Sequence, residues 1–386
     1  MEEVVHTAER LAELQALPLN RKIQISQTRI IEWYQHFNGN VVVSFSGGKD
    51  STVLLHLVRS IYPDVPAVFS NTGLEYPELQ KHVKTFDNVD IIAPDMRFDQ
   101  VISVYGYPLI SKEVAEAIYY ARKVPDTVDD KAPWLETTGK RGRKASGANQ
   151  KRREMMGEGK AVFNKSKWLP MAQELPFRIS HYCCYKMKKS PMKKYRHKRK
   201  LAPFVATLAE ESRLRKTAWI RHGCNAFDSA DPMSQPMSFW TEQDVLAYIA
   251  EYNLPIASVY GNIVSVDEEG NETPPMDADG NIKCNLKCTG CNRTGCVFCG
   301  FGLQYDEGET RFQRLAKTHP KQYEFSVGGG QWVDNPDYDP ALPEYDNGWK
   351  NWNPKQIWVP SKEGLGLGKV FDMANEIYGK DFYRYA

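Results

Sequence analysis

Apolar residues recur at helical spacing through Arg21–Phe37, at Ile23, Ile25, Ile30, Ile31, Trp33, Tyr34 and Phe37, and Asn38-Gly39-Asn40 breaks the pattern. The chain then changes period. Val41–Phe45 is a short β-branched and apolar run, as in a strand buried on both faces. Ser46–Asp50 reads as a turn, and Ser51–Ile61 as a helix with Val53, Leu54, Leu57, Val58 and Ile61 on one face. Val65–Ser70 and Val89–Ala93 predict two further strands. Strand, glycine turn, helix, strand is a βαβ unit. It predicts an α/β fold with a Rossmann-like, doubly wound parallel sheet that binds ligands at the carboxyl ends of its strands.

Farther along, periodicity is patchier. Pro125–Gly159 is charged and turn-rich, and reads as an insertion. Thr241–Tyr252 predicts a helix opened by Thr241 with Asp244 three residues on, a capping box. Asp267–Gly280 reads as a hairpin or loop insertion, Cys284–Gly302 as a cysteine-rich module, and the chain from Gly328 is rich in Trp, Tyr, Pro and Gly. A length of 386 residues exceeds what one core commonly organises. The expected layout is a nucleotide-binding α/β domain over 1–261 with a charged insertion at about 125–159, an acidic insertion and cysteine-rich module over 262–327, and an aromatic-rich extension over 328–386.

Composition narrows the class. No run of about 18 apolar residues suggests a membrane span, and Met1–Glu13 lacks the apolar stretch of a secretory signal. The expected location is the cytoplasm, with no membrane partner. Net charge is only +2, yet it is segregated: Lys140–Arg153 and Lys186–Lys200 are basic, whereas Val266–Asp279 and Asp334–Asp346 are acidic. Lys186–Lys200 holds nine Lys or Arg and no acid. It reads either as a solvated helix face or, with 140–153, as a track for nucleic acid or another polyanion.

Ser46-Gly47-Gly48-Lys49-Asp50-Ser51 carries the strongest chemistry. Two glycines let the backbone turn sharply and aim N–H groups at an anion. The following helix adds partial positive charge and Lys49 a full one. Ser46 and Ser51 offer hydroxyls, and Asp50 is placed to help hold Mg²⁺ if the nucleotide is ATP. The loop is not a Walker A sequence, because Val43 stands where that pattern needs glycine and Asp50 where it needs Ser or Thr.

The hexapeptide resembles the SGGxDS signature of the PP-loop ATP pyrophosphatase superfamily, whose fold is of the adenine nucleotide alpha-hydrolase type. More narrowly, the chain resembles the phosphoadenosine phosphosulfate (PAPS) reductase family. Asn71-Thr72-Gly73-Leu74-Glu75-Tyr76-Pro77-Glu78 is similar to that family's DTGxxxPE motif, with Asn71 for Asp. Pro236–Val245, Leu254-Pro255 and Val259-Tyr260 are similar to its PLxxWTxxDV…LP…LY stretch. The resemblance implies a nucleotide site built from Ser44, Ser46, Gly47, Gly48, Lys49, Asp50, Ser51, Asn71, Thr72 and Gly73, with Lys49 and Asp50 as its catalytic pair. Glu211, Ser212 and Arg215 fit the family's GxRxxESxxR pattern, so Glu211 and Arg215 join the site, but Ala206 replaces the Gly and Leu208 the first Arg. One anion contact of the reductases is therefore missing at Leu208.

All eight cysteines lie between Cys183 and Cys299, five of them within sixteen residues. Without an export signal, such clustering favours metal over disulfides. Cys183 and Cys184 are adjacent, with Cα atoms about 3.8 Å apart, below the range of about 4.4–6.8 Å for a disulfide. Together with Cys296-Val297-Phe298-Cys299 they supply four thiolates, enough for a 4Fe–4S cluster. Cys183–Pro191 resembles the CC-plus-basic segment of the assimilatory adenylylsulfate reductases, which implies that these four cysteines are cluster ligands. Zinc on the same thiolates is the alternative metal. Cys284, Cys288 and Cys291 remain; a second site, with Zn²⁺ and Cys224 as fourth ligand, stands beside plain structural or redox thiols.

Two chemistries follow. In the first, the loop binds ATP and Mg²⁺, releases pyrophosphate, and a sulfur donor completes ATP-dependent sulfur activation, with nucleic acid as one acceptor. This is the reading the basic stretches favour. In the alternative, the chain is a sulfonucleotide reductase that forms sulfite from an adenylyl sulfate with electrons from a donor protein. Against it, no cysteine follows Cys299, where the family's reductases carry a nucleophile. A cluster-bearing regulator without catalysis is the third reading.

Overall fold

The computed structural model describes residues 6–122, 165–342 and 352–386. The expected insertion and the basic stretch 140–153 lie outside the described residues. The chain divides into two compact units, Met1–Pro94 with Lys189–Gly295, and Asp95–Lys188 with Cys296–Ala386. Each unit joins two segments that are distant in sequence, because strands far apart in the chain pair with one another.

The first unit is built on a six-stranded sheet. Across it the order is Val89–Ile92, Ala67–Ser70, Val41–Ser44, Ala202–Val205, Met233–Ser234 and Asn225–Ala226. All neighbours are parallel except the last pair. Val41, Val42 and Val43 have no exposed surface, as their uninterrupted apolar run requires. The doubly wound parallel sheet expected from the sequence is the observed fold. From Val41–Ser44 the chain moves to one side to form Ala67–Ser70, and Ala202–Val205 flanks the other side, so the strand order reverses beside Ser44. A crevice outside the carboxyl ends at such a switch point is where open α/β sheets bind ligands.

The helix Leu19–His36 carries the Trp240 segment. Its Ser26 hydroxyl donates to Pro236 O at 2.8 Å and accepts from Trp240 Nε1 at 2.9 Å. Buried Lys22 pairs with Asp244 at 2.6 Å. The Thr241–Asp244 capping box forms as expected, and the helix spans Glu242–Glu251. Element ends move by a residue or two. The strand begins at Ala67 rather than Val65, since Pro66 brings no N–H to a ladder. The segment beginning at Asp267 turns Ile263–Val266 back onto Glu272–Thr273 in a short antiparallel pairing.

In the second unit, Leu109–Ile110 pairs in parallel with Gly300–Phe301, and Gln331–Asp334 pairs antiparallel with Gln356–Val359. Tyr107, Phe177, Phe312, Phe371 and Tyr383 form a nearly inaccessible aromatic core. The Tyr383 hydroxyl accepts from Ile110 N–H at 3.0 Å. Among the described residues no helix is long and apolar enough to cross a membrane.

Candidate nucleotide site and cysteine group

The phosphate loop follows Val41–Ser44 at the switch point. Its helix starts two residues earlier than the periodicity predicts, at Lys49, with Gly48 as N-cap. Lys49 and Asp50 therefore occupy the first turn, where backbone N–H groups lack intrahelical partners. Gly47 has φ +74°, and a Cβ there would meet Val83 Cγ2 at 2.7 Å. The serine hydroxyls are spent on the loop itself: Ser46 Oγ and Ser51 Oγ lie 3.0 Å apart, Gly48 N–H donates to Ser46 Oγ, and Ser51 Oγ donates to Gly48 O at 2.9 Å. They brace the loop backbone, and Ser46 also lines the cavity beside it. Ser44 is the last residue of its strand.

A cavity of about 230 Å³ opens beside the loop. One wall is Gly48, Lys49 and Asp50; another is Leu208 and Glu211, just beyond the strand Ala202–Val205. Glu242, Tyr260 and the strap Asn292–Gly295 complete it. Lys49 is 4% exposed and its Nζ bonds Glu242 Oε1 and, at 3.0 Å, the Asn292 carbonyl. The Tyr260 hydroxyl accepts the Lys49 N–H at 3.3 Å and lies 2.6 Å from Thr294 Oγ1. Burial pushes the Asp50 carboxyl up, against the pull of Lys49. Glu211 pairs with Arg215 and, at 3.8 Å, with Arg293. Burial, then the nearby Arg293 charge, push the Arg215 guanidinium down.

Asn71, Thr72 and Gly73 stand at the carboxyl end of the next strand and form a self-contained turn. Gly73 N–H donates to Asn71 Oδ1 at 3.1 Å, and Thr72 bonds Glu75 through both N–H and hydroxyl. None of the three lines the cavity. Sequence reading did not single out Glu242, Tyr260, Asn292, Arg293 or Thr294. Glu242 and Tyr260 lie inside the quoted Trp and Val-Tyr segments, and Arg293-Thr294-Gly295 immediately precedes the second CxxC, so position within a motif was the available signal.

The four cluster-candidate cysteines all fall in the second unit. Cys183 Sγ lies 4.0 Å from Cys184 Sγ. The Cys183 thiol is pushed up by its contact with Cys184, by burial, and by the charges of Cys184, Cys299 and Cys296. Cys184 is pulled down to about 5, first by Cys183 and then by Lys112 and Lys188. The four sulfurs thus share one electrostatic neighbourhood with cations beside it, although among the described residues no group of three or more His, Cys, Asp or Glu is drawn together tightly enough to grip a metal ion. Cys183–Cys184 leads into a π-helical segment, Tyr185–Lys189, a distortion frequent at functional sites. Ile110, paired beside Gly300–Phe301, has φ +64°, unusual for a β-branched residue.

The other cysteines part company. Cys288 and Cys291 are buried, and Cys288 feels Lys49, Glu242, Asp50 and Cys291. Cys284 is exposed. Cys224 sits beside Ser238 and Trp219, with Arg29 and Glu32 as its charged neighbours. The basic stretch 186–200 includes the helix Ser190–Arg199, which places Arg196 and Lys193 on Asp231 and Arg199 on Asp90, so part of its charge is neutralised internally.

The parallel sheet, the switch-point loop and the cavity define an α/β protein with a candidate ligand site at the carboxyl ends of its strands. Residues 40–106 match the model of the "phosphoadenosine phosphosulfate reductase domain" family. It is 33% identical over 101 residues to a phosphoadenosine 5'-phosphosulfate reductase of Serratia proteamaculans, covering 23% of this chain and 39% of that protein. It is 29% identical over 87 residues to an adenosine 5'-phosphosulfate reductase of Bacillus cereus, covering 21% and 37%. The matched region thus spans less than two fifths of these relatives. A PAPS reductase structure from Candida auris, a phosphate complex, aligns over 66% of this chain and 92% of its own at 11% identity and a TM-score of 0.32.

Proposed function

We propose that this protein is a sulfonucleotide reductase: the Ser46–Ser51 loop binds an adenylyl sulfate, and the sulfate is reduced to sulfite with release of AMP. The observation that carries the reading is the loop at the switch point, with its Lys49 cation, in a segment whose matched relatives are named for this chemistry. The reaction is a two-electron reduction. With no cysteine after Cys299, a thiolate from among Cys284, Cys288 and Cys291 would displace the nucleotide from the sulfur (AMP, or its 3'-phosphorylated form from a 3'-phosphorylated substrate), a second thiol would release sulfite, and the two thiols would become a disulfide that a dithiol donor, such as a redox protein, reduces again. Lys49 and the N–H groups around Gly48 hold the 5'-phosphate and offset charge on the departing AMP. In place of a substrate anion Lys49 holds Glu242, so binding exchanges one anion for another.

Cys183, Cys184, Cys296 and Cys299 would hold a 4Fe–4S cluster. Their shared electrostatic neighbourhood and the flanking Lys112 and Lys188 fit a net-negative thiolate-bound group. Such a cluster supplies one-electron redox capacity and a fixed local charge.

The carboxylates of Asp50 and Glu242 in the same cavity favour a second reading, ATP-dependent sulfur activation, because they offer oxygen ligands to Mg²⁺ beside a triphosphate. The test is a product assay on protein purified without oxygen, supplied with a dithiol. Sulfite and AMP from an adenylyl sulfate, with ATP untouched, are expected. AMP and pyrophosphate from ATP, with no sulfite from either nucleotide, would establish the second reading and remove the first.

A further inference from the structure

The cations around the cavity differ in how firmly they are held. Lys49 has two partners, Glu242 and the Asn292 carbonyl. Arg215 lies on Glu211. Arg293 lines the cavity, is 61% exposed, and comes within 3.8 Å of Glu211, the outer limit of an ion pair. Glu211 also accepts the Leu208 N–H at 3.1 Å. One carboxylate therefore serves two guanidiniums and an amide, with Asp50 the other anion near them, so the ion pair that Arg293 makes at the cavity mouth is a long one. An oxyanion with several acceptor oxygens offers the Arg293 guanidinium the short, bidentate contact that Glu211 does not.

The backbone flanking Arg293 is tied down by hydrogen bonds, whereas its side chain is exposed. Thr289, Gly290 and Cys291 donate to the carbonyls of Asn262, Tyr260 and Val259, each at 2.9 Å. On the other side of Arg293, the Thr294 hydroxyl meets Tyr260. A Cβ at Gly290 would fall 2.4 Å from Val259 O, so this close zippering depends on glycine. A hydrogen-bonded strap presenting an exposed guanidinium at a cavity mouth is well suited to contact a ligand there. On the wall formed by residues 208 and 211 stands Leu208, 2% exposed and apolar, where the reductase pattern carries an arginine.

Resting on the reading of this cavity as an adenylyl sulfate site, we infer that Arg293 is its second anion-binding residue, supplying from the strap the guanidinium that the wall lacks at Leu208. The group it binds is an oxyanion of the substrate beyond the 5'-phosphate, either the sulfonate or a 3'-phosphate.

Calorimetric titration of the full chain with adenosine 5'-phosphosulfate, its 3'-phosphorylated form and AMP tests this. Arg293→Gln is expected to weaken the sulfonucleotides about ten-fold or more, the loss typical of one charge-assisted contact, and AMP far less. Arg293→Lys should recover part of the loss. A loss common to both sulfonucleotides identifies the sulfonate; a loss confined to the 3'-phosphorylated form identifies the 3'-phosphate. Adding Leu208→Arg to Arg293→Gln should restore affinity, with thermal melting to confirm that this buried substitution folds; if it does not fold, the Gln and Lys variants decide. The inference falls if Arg293→Gln binds all three nucleotides as the wild type does while Lys49→Ala has lost them. If the wild-type chain binds no sulfonucleotide, the reading of the cavity fails first and Arg293 fails with it.

Discussion

The two compact units keep their chemistry in different materials. In the first it is in the backbone: a glycine with φ +74°, a helix that opens at Lys49, and serine hydroxyls turned inward to hold the loop. In the second it is in side chains, four thiols from segments more than a hundred residues apart that alter one another's ionisation. A backbone site is written in a few consecutive residues and tolerates little change in any of them. A thiol site is assembled by long-range pairing and is lost one ligand at a time. The contrast teaches that the two are separable, and they should fail separately.

The largest expected effect is at Lys49. Lys49→Ala removes the loop's full charge, and a fall in kcat/KM for an adenylyl sulfate of about two orders of magnitude or more is expected, comparable to loss of one strong oxyanion donor. Because Glu242 is 38% exposed and can turn to water, the melting temperature should move little. Unchanged turnover would place the active site elsewhere.

The converse experiment is in the second unit. Cys296→Ser with Cys299→Ser should lower iron from about four per chain toward zero in protein purified without oxygen, while calorimetry finds nucleotide affinity unchanged. Iron that stays bound would remove these cysteines as ligands. Nucleotide affinity that falls along with iron would break the proposed separation of the two chemistries.

Gly47→Ala tests the backbone material directly. Left-handed backbone costs about 1–2 kcal/mol for a residue with a Cβ, and the added atom would also press on Val83 Cγ2. A loss of about 2 kcal/mol in urea unfolding is expected, with weaker nucleotide binding. The same change at Gly270, also at positive φ but with nothing within 4 Å, should cost only the backbone term and leave binding intact.

The same difference in materials explains what was legible in the sequence. The parallel sheet and the loop were readable because Val41–Phe45 and Ser46–Ser51 are contiguous and local rules govern them. The split into two units was not, because it rests on pairings such as Leu109 with Gly300. The far wall was missed for a related reason. Tyr260 stands in a quoted motif that says nothing of its contacts, Arg293 and Thr294 have no distinctive local pattern, and the zippering of 289–291 onto 259–262 brings them together. The serine hydroxyls were plain in the sequence, but their hydrogen bonds to one another and to Gly48 were not, because packing sets them.

The smallest expected effect concerns how the loop helix is buttressed. His82 is 7% exposed, its ring packs edge-on to Phe86, and its Nε2 lies 3.4 Å from the Thr52 hydroxyl, one turn into the helix that the phosphate loop opens. Burial pushes its imidazole down from the ordinary value near 6.5. The folded chain therefore resists protonating His82 while the unfolded chain does not, so below about pH 6.5 the unfolded state binds more protons. The stability due to the neutral ring is complete above that value and is lost as pH falls toward the depressed folded value. Urea unfolding from pH 7.5 to pH 5.5 should show a drop that is smaller in His82→Gln, whose amide cannot titrate. An identical pH slope in the two proteins would show that this packing does not hold the ring neutral, and the loop helix would then rest on its apolar face alone.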